Sequence, residues 1–471
     1  MRVEPAPVFA ADMGVNVPRW VRAADALAVA LLCLSVLLLA GDGVRFEVAG
    51  IRIAITSALR VALWAVVLVV GRHVIHPAAP ITTRARQWLQ GGGTVRRELP
   101  AMLRLLLVTR LPIIVIGFLA VGAIPLETDL GSQHHDSAWV NLLARWDAIR
   151  YADIARSGYT WDGNPLSQQN VVFFPAFPLA IRVVSRFFAI HPLTAAWLVS
   201  ITAFAWAMVL FARLARTFTD SEAATDAAWL LSCYPFAYFF GAAYSESLFL
   251  LTLCGLFLSL HRQEFGRAAI WGLVAGLTRP NGWLLCLPAA ILAVSTTLPP
   301  RREVGQWLRR ATAVTAPAFG ALLFTLYLQL RFGDGLAWVK GQAAWGRTFR
   351  GLHLFVADRI LYLRDLGLPG ALIEQPIDIL NSAAALLALA LTIPIGRRLG
   401  LAYGVLAAVL VLPPVLMGGS TSMGRLTSIV FPMFIWLAAA LAAERRKALM
   451  VAFATLQGLA ATLFYTYRTL Y

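Results

Sequence analysis

The sequence predicts an all-α polytopic membrane protein, and two observations support this. Of its 471 residues, 59% are hydrophobic and 14% are charged, whereas a soluble domain carries about 25% charged residues. Apolar runs that approach the ~20 residues a helix needs to cross a bilayer recur along the chain. We place membrane spans near residues 24–42, 53–71, 101–124, 192–215, 223–242, 246–261, 311–331, 377–395, 400–418, 426–442 and 447–466.

The charged residues indicate how these spans are oriented. The net charge is +16, and it comes largely from short arginine clusters between the apolar runs. Cytoplasmic loops of membrane proteins carry such an excess of basic residues. The charge therefore indicates topology, and nothing in the sequence resembles a nucleic-acid-binding module.

On this topology the chain divides into four parts. Residues 1–76 form an N-terminal two-helix extension, and 77–100 form a basic cytoplasmic loop. Residues 101–442 form the main membrane domain, and 443–471 form a C-terminal helix. Within the main domain, 125–190 form a large extracytoplasmic loop, whose segment FFPAFPLAIRVVSRFF predicts a helix lying in the membrane interface. The alternative for that segment is a short membrane span.

The apolar stretch 268–294 lies between two basic segments and is interrupted by Thr278-Arg279-Pro280-Asn281-Gly282. A single helix would place the second basic segment outside, against the positive-inside rule. Two half-length helices that meet at the Pro-Gly break satisfy the rule. We therefore predict a hairpin with Arg279 near the outer face, giving about 11–13 transmembrane helices in all. The same topology places 332–376 and 418–425 outside.

The stretch Arg145-Trp146-Asp147-Ala148-Ile149-Arg150-Tyr151 follows the third span. Charge at a lipid boundary is costly and tends to mark function. Asp147 is a candidate general base that takes a proton from a hydroxyl group. The alternative is a carboxylate at a helix start, or an ion-pair partner of Arg150. Asp136, in the same loop, is the second candidate for the base.

The sequence predicts neither a metal site nor a cofactor. His134, His135 and Asp136 form a cluster of ligand-type residues, but adjacent histidines cannot easily face one ion, so we predict a solvated loop. There is no Gly-rich phosphate loop, GKS/T or HExxH motif, which disfavours ATP-driven transport and zinc proteolysis. All the cysteines lie inside apolar runs without metal-ligand spacing: Cys33, Cys233, Cys254 and Cys286.

Other polar residues converge on the predicted outer face and are candidates for substrate binding. Arg279 offers a planar fork suited to phosphate, with snorkelling to the interface as the alternative. Glu246 lies either at an exposed helix start or beside Arg279 in a pocket. Gln342 and Trp345 either hold a sugar or anchor an interfacial loop. The remaining candidates are Trp146, Arg150, Tyr151, Asn281, Arg347 and Arg425.

Several sequence blocks resemble the PIG-V-type mannosyltransferases. That family contains the enzyme that adds the second mannose in glycosylphosphatidylinositol anchor synthesis, together with bacterial relatives. The blocks are RWDAIRYADIARSGY with FFPAFPLAIR, YPFAYFFGAAYSESLFLLTLCGLF with GLTRPNG, then GQAAWGR, and SMGRLTSIVFPMF. They span roughly residues 101–440 in the family's order, and the spans in 1–76 are additional. Arg150 stands where the family often has His, and Pro280 where it often has Ser.

The resemblance implies a GT-C-type fold with a large extracytoplasmic first catalytic loop. It implies an inverting membrane glycosyltransferase that needs no metal and uses a polyprenyl-phosphate-linked hexose, mannose by family. Its partners would be that donor, a lipid or glycan acceptor and membrane lipids. Asp147 would be the base, Arg279 and Arg425 would stabilise the leaving phosphate, and Glu246 and Gln342 would orient sugar or acceptor. The Ala- and Arg-rich composition favours a bacterial plasma membrane, with the active site facing outside.

Two other functions explain part of the pattern. A lipid or glycan transporter or flippase also uses broken helices with charge at the break, but at the midplane and with internal repeats. No inverted repeat is visible here. A noncatalytic envelope scaffold would need neither Asp147 nor a cavity joining it to Arg279.

Overall fold

The computed structural model describes residues 44–48, 51–55, 57–76, 95–126, 137–295 and 303–468, together with single positions between 18 and 35. The chain forms two compact units, Met1–Arg97 and Glu98–Tyr471. The first predicted span, 24–42, lies largely outside the described residues. So do the basic loop from 77 to 94 and the cluster that contains His134, His135 and Asp136.

The first unit contains a small antiparallel hairpin that the sequence analysis did not predict. Strand β1 (Val44–Val48) pairs with β2 (Ile51–Ile55), and Val44 lies opposite Ile55. The segments VRFEV and IRIAI alternate apolar and polar residues, which is the period of a strand. Helix α1 (Ala58–Ile75) follows, so the helix predicted at 53–71 begins later and ends later.

The second unit is helical in its described part. Its long apolar helices are α2 (Val95–Ala123), α6 (Pro192–Ala215), α11 (Val304–Phe332), α14 (Pro376–Leu399), α15 (Leu401–Gly418) and α18 (Ala443–Tyr465). The shorter helices are α3 (Ala138–Leu143), α4 (Asp147–Ser157), α5 (Ala176–Phe188), α7 (Ser221–Cys233), α8 (Glu246–His261), α9 (Phe265–Thr278), α10 (Cys286–Ser295), α12 (Ala337–Lys340), α13 (Leu352–Glu374), α16 (Met423–Ser428) and α17 (Phe431–Ala440).

Length and composition of these helices confirm an integral membrane protein. Within the described residues, 6 helices are long and apolar enough to cross a bilayer, and four shorter apolar helices accompany them. The spans predicted at 223–242 and 426–442 are broken, because α7 stops at Cys233 and a second break separates α16 from α17. Pro235 lies at the first break, and proline disfavours a helical conformation in the residue before it. Pro432 lies in the first turn of α17, where a proline is tolerated.

Buried side chains satisfy the backbone at the first break. Arg110 of α2 donates hydrogen bonds to the carbonyl oxygens of Ser232 and Ala237. The amide of Gln457 donates to the carbonyls of Ser232 and Tyr234 at 3.1 and 2.9 Å. Non-helical backbone at membrane depth is tolerated only where such partners exist. Arg110 is therefore a structural residue.

The hairpin predicted at 268–294 is confirmed. Helix α9 ends at Thr278, Arg279 is extended, and a short 3-10 turn (Pro280–Leu285) leads into α10. The start of α9 and the end of α10 lie close together, because Arg310 of α11 contacts both. Its guanidinium lies 4.8 Å from the Phe265 ring, where α9 begins, and donates to the Ala293 carbonyl at 2.7 Å, near the end of α10. The break at Arg279 lies at the opposite end.

Two further segments bear on the site. The segment predicted to lie in the interface forms helix α5, whose 13 residues are too few to span a bilayer, while its position in the interface stays a prediction. The predicted outer loop 332–376 contains a helix that was not predicted, α13, interrupted at Gly367 by a φ of 65°. Its polar positions obscured the helical pattern in the sequence.

The close contact between α9 and α11 at Gly276 predicts that a larger residue there lowers the stability of the fold. A Cβ added at Gly276 would overlap the carbonyl oxygen of Pro317 on α11, whereas one at Gly122 would meet nothing within 4 Å. Gly276→Ala should destabilise the fold by about 1–3 kcal/mol or more through overpacking. Gly122→Ala should be neutral or slightly stabilising. Thermal unfolding of both variants in detergent checks this, and equal midpoints for Gly276→Ala and wild type would contradict the close packing of the hairpin on α11.

Candidate active site

The break at Arg279, the start of α4 and the loop before α16 surround one cavity of about 490 Å³. Pockets that hold small ligands typically measure ~300–1,000 Å³. Many of the residues predicted to bind substrate line it together with the predicted base. These wall residues are Asp147, Tyr151, Arg279, Asn281, Gln342, Trp345, Arg347 and Arg425.

Asp147 is held by the start of its own helix and by a neighbouring tyrosine. It is the first residue of α4, follows Trp146 at φ 51°, and is 6% exposed. Its backbone N–H donates to the hydroxyl of Tyr244 at 3.1 Å, and that hydroxyl donates to the Arg145 carbonyl at 3.3 Å. The carboxylate therefore enters the cavity from a backbone that is fixed on two sides.

Two carboxylates and two guanidinium groups form a continuous ion chain at one end of the cavity. Arg425 Nη1 lies 2.6 Å from Asp147 Oδ2, and Arg425 Nε lies 3.2 Å from Glu246 Oε1. Arg279 Nη1 lies 2.8 Å from the same Glu246 oxygen. Glu246 is 1% exposed and Arg279 is 7% exposed. Buried charges are tolerated when they are paired in this way, and the formal charges of the four groups cancel.

Tyr151 supplies a polar group to the wall beside this chain. Its hydroxyl lies 3.0 Å from Ser245 Oγ, and its ring packs edge-on against Phe173 and Phe177. Burial raises the pKa of the Tyr151 phenol above its ordinary value, and the nearby Glu246 carboxylate raises it further. The phenol therefore keeps its proton and remains available as a hydrogen-bond donor.

The opposite wall is largely aromatic and apolar. Trp345 lies edge-on to Phe173 with the ring centroids 5.5 Å apart, and Arg150 stacks on its other side at 5.9 Å. Gln342 lies one turn before, where its amide donates weakly to the Trp338 carbonyl at 3.5 Å. The apolar part of the lining consists of Val172, Phe173, Phe174, Trp283, Leu284, Trp338, Val339, Pro413, Pro414, Met417 and Leu426.

Three predicted residues are not part of the cavity wall. Trp146 turns away from it, and its indole N–H donates to the Phe464 carbonyl at 3.3 Å. Arg150 reaches the site only through the Trp345 ring. Glu246 lies behind the wall, where it holds Arg279 and Arg425. Asp136, the second candidate base, lies outside the described residues.

The sequence analysis missed the residues that hold Arg425 in place. On α14, the Asn381 side-chain oxygen accepts the Gly424 N–H at 2.7 Å, and Asp378 Oδ1 accepts the Ser420 hydroxyl at 2.5 Å. These two hydrogen bonds fix the turn that carries Ser422, whose φ is 60°. Two polar residues one turn apart at the start of an apolar helix are the signal that could have identified them.

No group of three or more His, Cys, Asp and Glu side chains suited to a metal occurs among the residues that the structure describes. Asp129, His134 and His135 are not among them.

Comparison with known proteins gives a family match over part of the chain. The family model described as Mannosyltransferase (PIG-V) matches residues 120–295. The match contains Asp147, Glu246 and Arg279, whereas the blocks around Trp345 and Arg425 lie beyond it. The matched segment is shorter than the resemblance over 101–440 that the sequence predicts. No curated protein matches the chain.

Two solved structures are similar to the chain. One is ArnT from Cupriavidus metallidurans bound to undecaprenyl phosphate, at 13% identity and a TM-score of 0.42, covering 77% of this chain and 76% of that one. The other is the Archaeoglobus fulgidus oligosaccharyltransferase in complex with Zn and sulfate, at 12% identity and a TM-score of 0.37, covering 76% of this chain and 53% of that one.

We base the assignment of the protein on the family match, together with the helices long enough to cross a membrane. The match over residues 120–295 confirms the resemblance to the PIG-V-type mannosyltransferases, and the protein is a membrane glycosyltransferase.

Proposed function

We propose that the protein is an inverting GT-C-type hexosyltransferase. It moves a hexose, mannose by family, from a polyprenyl-phosphate carrier to a hydroxyl of a lipid or glycan acceptor. The observation that carries this proposal is the cavity in which the Asp147 carboxylate, Arg279 and Arg425 share one wall. One acid faces the space where a hydroxyl would attack, and two cations face the same space, where a phosphate would leave.

Asp147 is the group that takes the acceptor proton. The acceptor oxygen forms a bond to the anomeric carbon while the bond from that carbon to the phosphate oxygen breaks. The acceptor proton passes to the Asp147 carboxylate, and the electron pair of the broken bond stays on the phosphate. A positioned base contributes about 10²–10⁴-fold to such a step. Glu246 is a poorer candidate because it lies behind the wall and holds two arginines.

Arg279 and Arg425 stabilise the leaving phosphate. The donor is a phosphodiester with one negative charge, and the departing polyprenyl phosphate gains a second as the sugar leaves. Guanidinium groups that already face the developing charge lower the barrier without reorganisation at the moment of reaction. In the free protein Glu246 and Asp147 neutralise both guanidiniums. The donor phosphate would compete with Asp147 for Arg425, which leaves the carboxylate free to accept a proton.

The apolar part of the lining suits the prenyl chain of the donor. Trp283 and Leu284 from the hairpin face Pro413, Pro414 and Met417 of α15 across the cavity. Trp283 is 47% exposed and Met417 is 39% exposed, so this edge of the cavity reaches the outer surface of the helices. A hydrocarbon chain that leaves the site here would remain in contact with lipid. A water-soluble nucleotide-sugar would gain nothing from this wall.

We place the protein in the bacterial plasma membrane with this cavity on the outer side. The basic residues Arg309 and Arg310 support that orientation because they lie at the end of the hairpin opposite to Arg279, and cytoplasmic segments carry an excess of basic residues. Arg310 is the last residue of the basic segment PPRREVGQWLRR and contacts both free ends of the hairpin, whereas Arg279 lies at the cavity.

Replacing the proposed base tests the reaction and the residue together. Asp147→Asn should lower sugar transfer from labelled polyprenyl-phosphate-mannose to a host lipid extract by about 10²–10⁴-fold, because the amide cannot accept the proton. The matched control is Asp365→Asn on α13, whose side chain is 60% exposed and pairs only with its neighbour Arg364. Full activity of a folded Asp147→Asn protein would exclude Asp147 as the base.

Replacing Arg425 tests the leaving-group role. Arg425→Gln should lower kcat by about 10²–10³-fold, the usual cost of removing one group that stabilises developing charge. Arg425→Lys should retain intermediate activity, because an ammonium supplies charge but cannot contact both carboxylates as the guanidinium does. Arg364→Gln, with its side chain 69% exposed, is the control. Unchanged kcat in Arg425→Gln would remove this arginine from the mechanism.

Labelling from outside the cell tests the orientation. In a Cys286→Ala background, Thr421→Cys in the cavity wall should react with a membrane-impermeant maleimide on intact cells. Glu264→Cys, at the start of α9 and the far end of the hairpin, should react only after permeabilisation. The reverse pattern would place the cavity on the cytoplasmic side.

A further inference from the structure

The residue before the proposed base has a costly backbone conformation. Trp146 has φ 51° and ψ −122°, although it carries a bulky side chain. Such conformations are strained and persist only when the surrounding structure enforces them. Asp147 begins α4 immediately afterwards, so the direction of its side chain depends on how this turn is held.

The groups that hold the turn come from the far end of the sequence. Arg145 Nε donates to the Tyr465 carbonyl at 2.8 Å, and Trp146 Nε1 donates to the Phe464 carbonyl at 3.3 Å. In return, the Tyr467 hydroxyl donates to the Ala144 carbonyl at 2.5 Å. We call residues 464–467 the α18 clasp.

Ring contacts reinforce these hydrogen bonds. The Arg145 guanidinium lies 4.8 Å from the centre of the Tyr467 ring, and the Trp146 and Tyr467 rings are 5.3 Å apart. Arg145 and Tyr467 are each only 4% exposed. The attraction between a cation and an aromatic face is stronger when both are shielded from water, as they are here.

The chemistry of a helix end explains why the contact is favourable. The last carbonyl groups of a helix have no partner within it and carry a partial negative charge. The clasp presents the carbonyls of Phe464 and Tyr465 at the end of α18, and the turn supplies a cation and an indole N–H to them. No cavity-wall residue takes part in the hydrogen bonds that hold the turn, so these bonds act on Asp147 through the backbone before it.

We propose that the α18 clasp is a positioning element for the base. It holds Trp146 in its left-handed conformation and thereby sets where α4 begins and where the Asp147 carboxylate points. The proposal rests on the proposed role of Asp147. Since a 1 Å misplacement of a reacting group can cost about 10²-fold in rate, loosening the clasp reduces kcat without removing any group that contacts the donor.

Two substitutions of Tyr467 test the clasp in the full-length protein. Tyr467→Phe removes the hydrogen bond to Ala144 and keeps the ring, whereas Tyr467→Ala removes both. We expect kcat to fall a few-fold in the first and by up to about 10²-fold in the second, with the donor KM unchanged. Tyr327→Phe, on a tyrosine that is 42% exposed, is the control. Thermal midpoints in detergent verify that each variant is folded.

A double-mutant cycle distinguishes positioning of the base from a general structural role. If the clasp acts through Asp147, adding Tyr467→Ala to Asp147→Asn lowers the residual transfer no further, because groups that act as one unit are not additive. A purely structural role predicts that the two losses multiply. Three outcomes would contradict the positioning role of the clasp. They are losses of activity that multiply in the double variant, a donor KM that rises while kcat stays constant, and a wild-type kcat in Tyr467→Ala.

The outcomes also separate this proposal from the function on which it rests. Full transfer by Asp147→Asn would contradict the base itself, whatever the Tyr467 variants do. An inactive Asp147→Asn combined with wild-type kinetics in Tyr467→Ala would leave the base in place and refute only the clasp.

Discussion

The Glu246 carboxylate holds two guanidinium groups at once, and the arrangement of the cavity depends on it. Its Oε1 atom contacts both Arg279 and Arg425, which come from the hairpin break and from the turn before α16. Without this carboxylate, Arg279 would lose its ion pair and Asp147 would remain paired with Arg425 alone, and an uncompensated buried charge costs about 3–5 kcal/mol. The same pairing that keeps the cations in place points them at the space where a phosphate would leave.

A second constraint is that the site needs broken helices in a membrane, where every backbone polar group must find a partner. Buried arginines meet this need at a helix break and at helix ends. Arg110 binds the carbonyls where α7 ends, and Arg310 contacts the start of α9 and the end of α10. These arginines lie away from the cavity, so their burial reflects the cost of the breaks. The ion chain can exist only because the breaks bring Arg279 and Arg425 to one wall.

Local sequence patterns predicted the parts of the structure that local physics determines. The apolar run 246–261 coincides with α8, and the Pro-Gly break with the basic segments predicted the hairpin around Arg279. Most of the predicted substrate-binding residues line one cavity. Charged side chains at a lipid boundary need partners, so they gather around a shared site. Their roles in catalysis remain predictions.

Contacts between distant segments could not be predicted. The sequence analysis assigned Trp146 to substrate binding because it lies next to Asp147, but its side chain packs against residues more than three hundred positions later. Nothing in the local pattern of the turn reports a φ of 51° or its partner Phe464. Helix α13 was missed for a related reason, since its charged positions resemble those of a solvated loop.

The most direct test of the account is a structure of the protein in lipid with bound polyprenyl-phosphate-mannose, determined for the Asp147→Asn variant so that the donor survives. The account predicts the donor phosphate within hydrogen-bond distance of Arg279 and Arg425, the anomeric carbon facing residue 147, and the prenyl chain leaving between Trp283 and Met417. A donor bound elsewhere, with Glu246 still paired to Arg279 and Arg425 and the cavity empty, would contradict it.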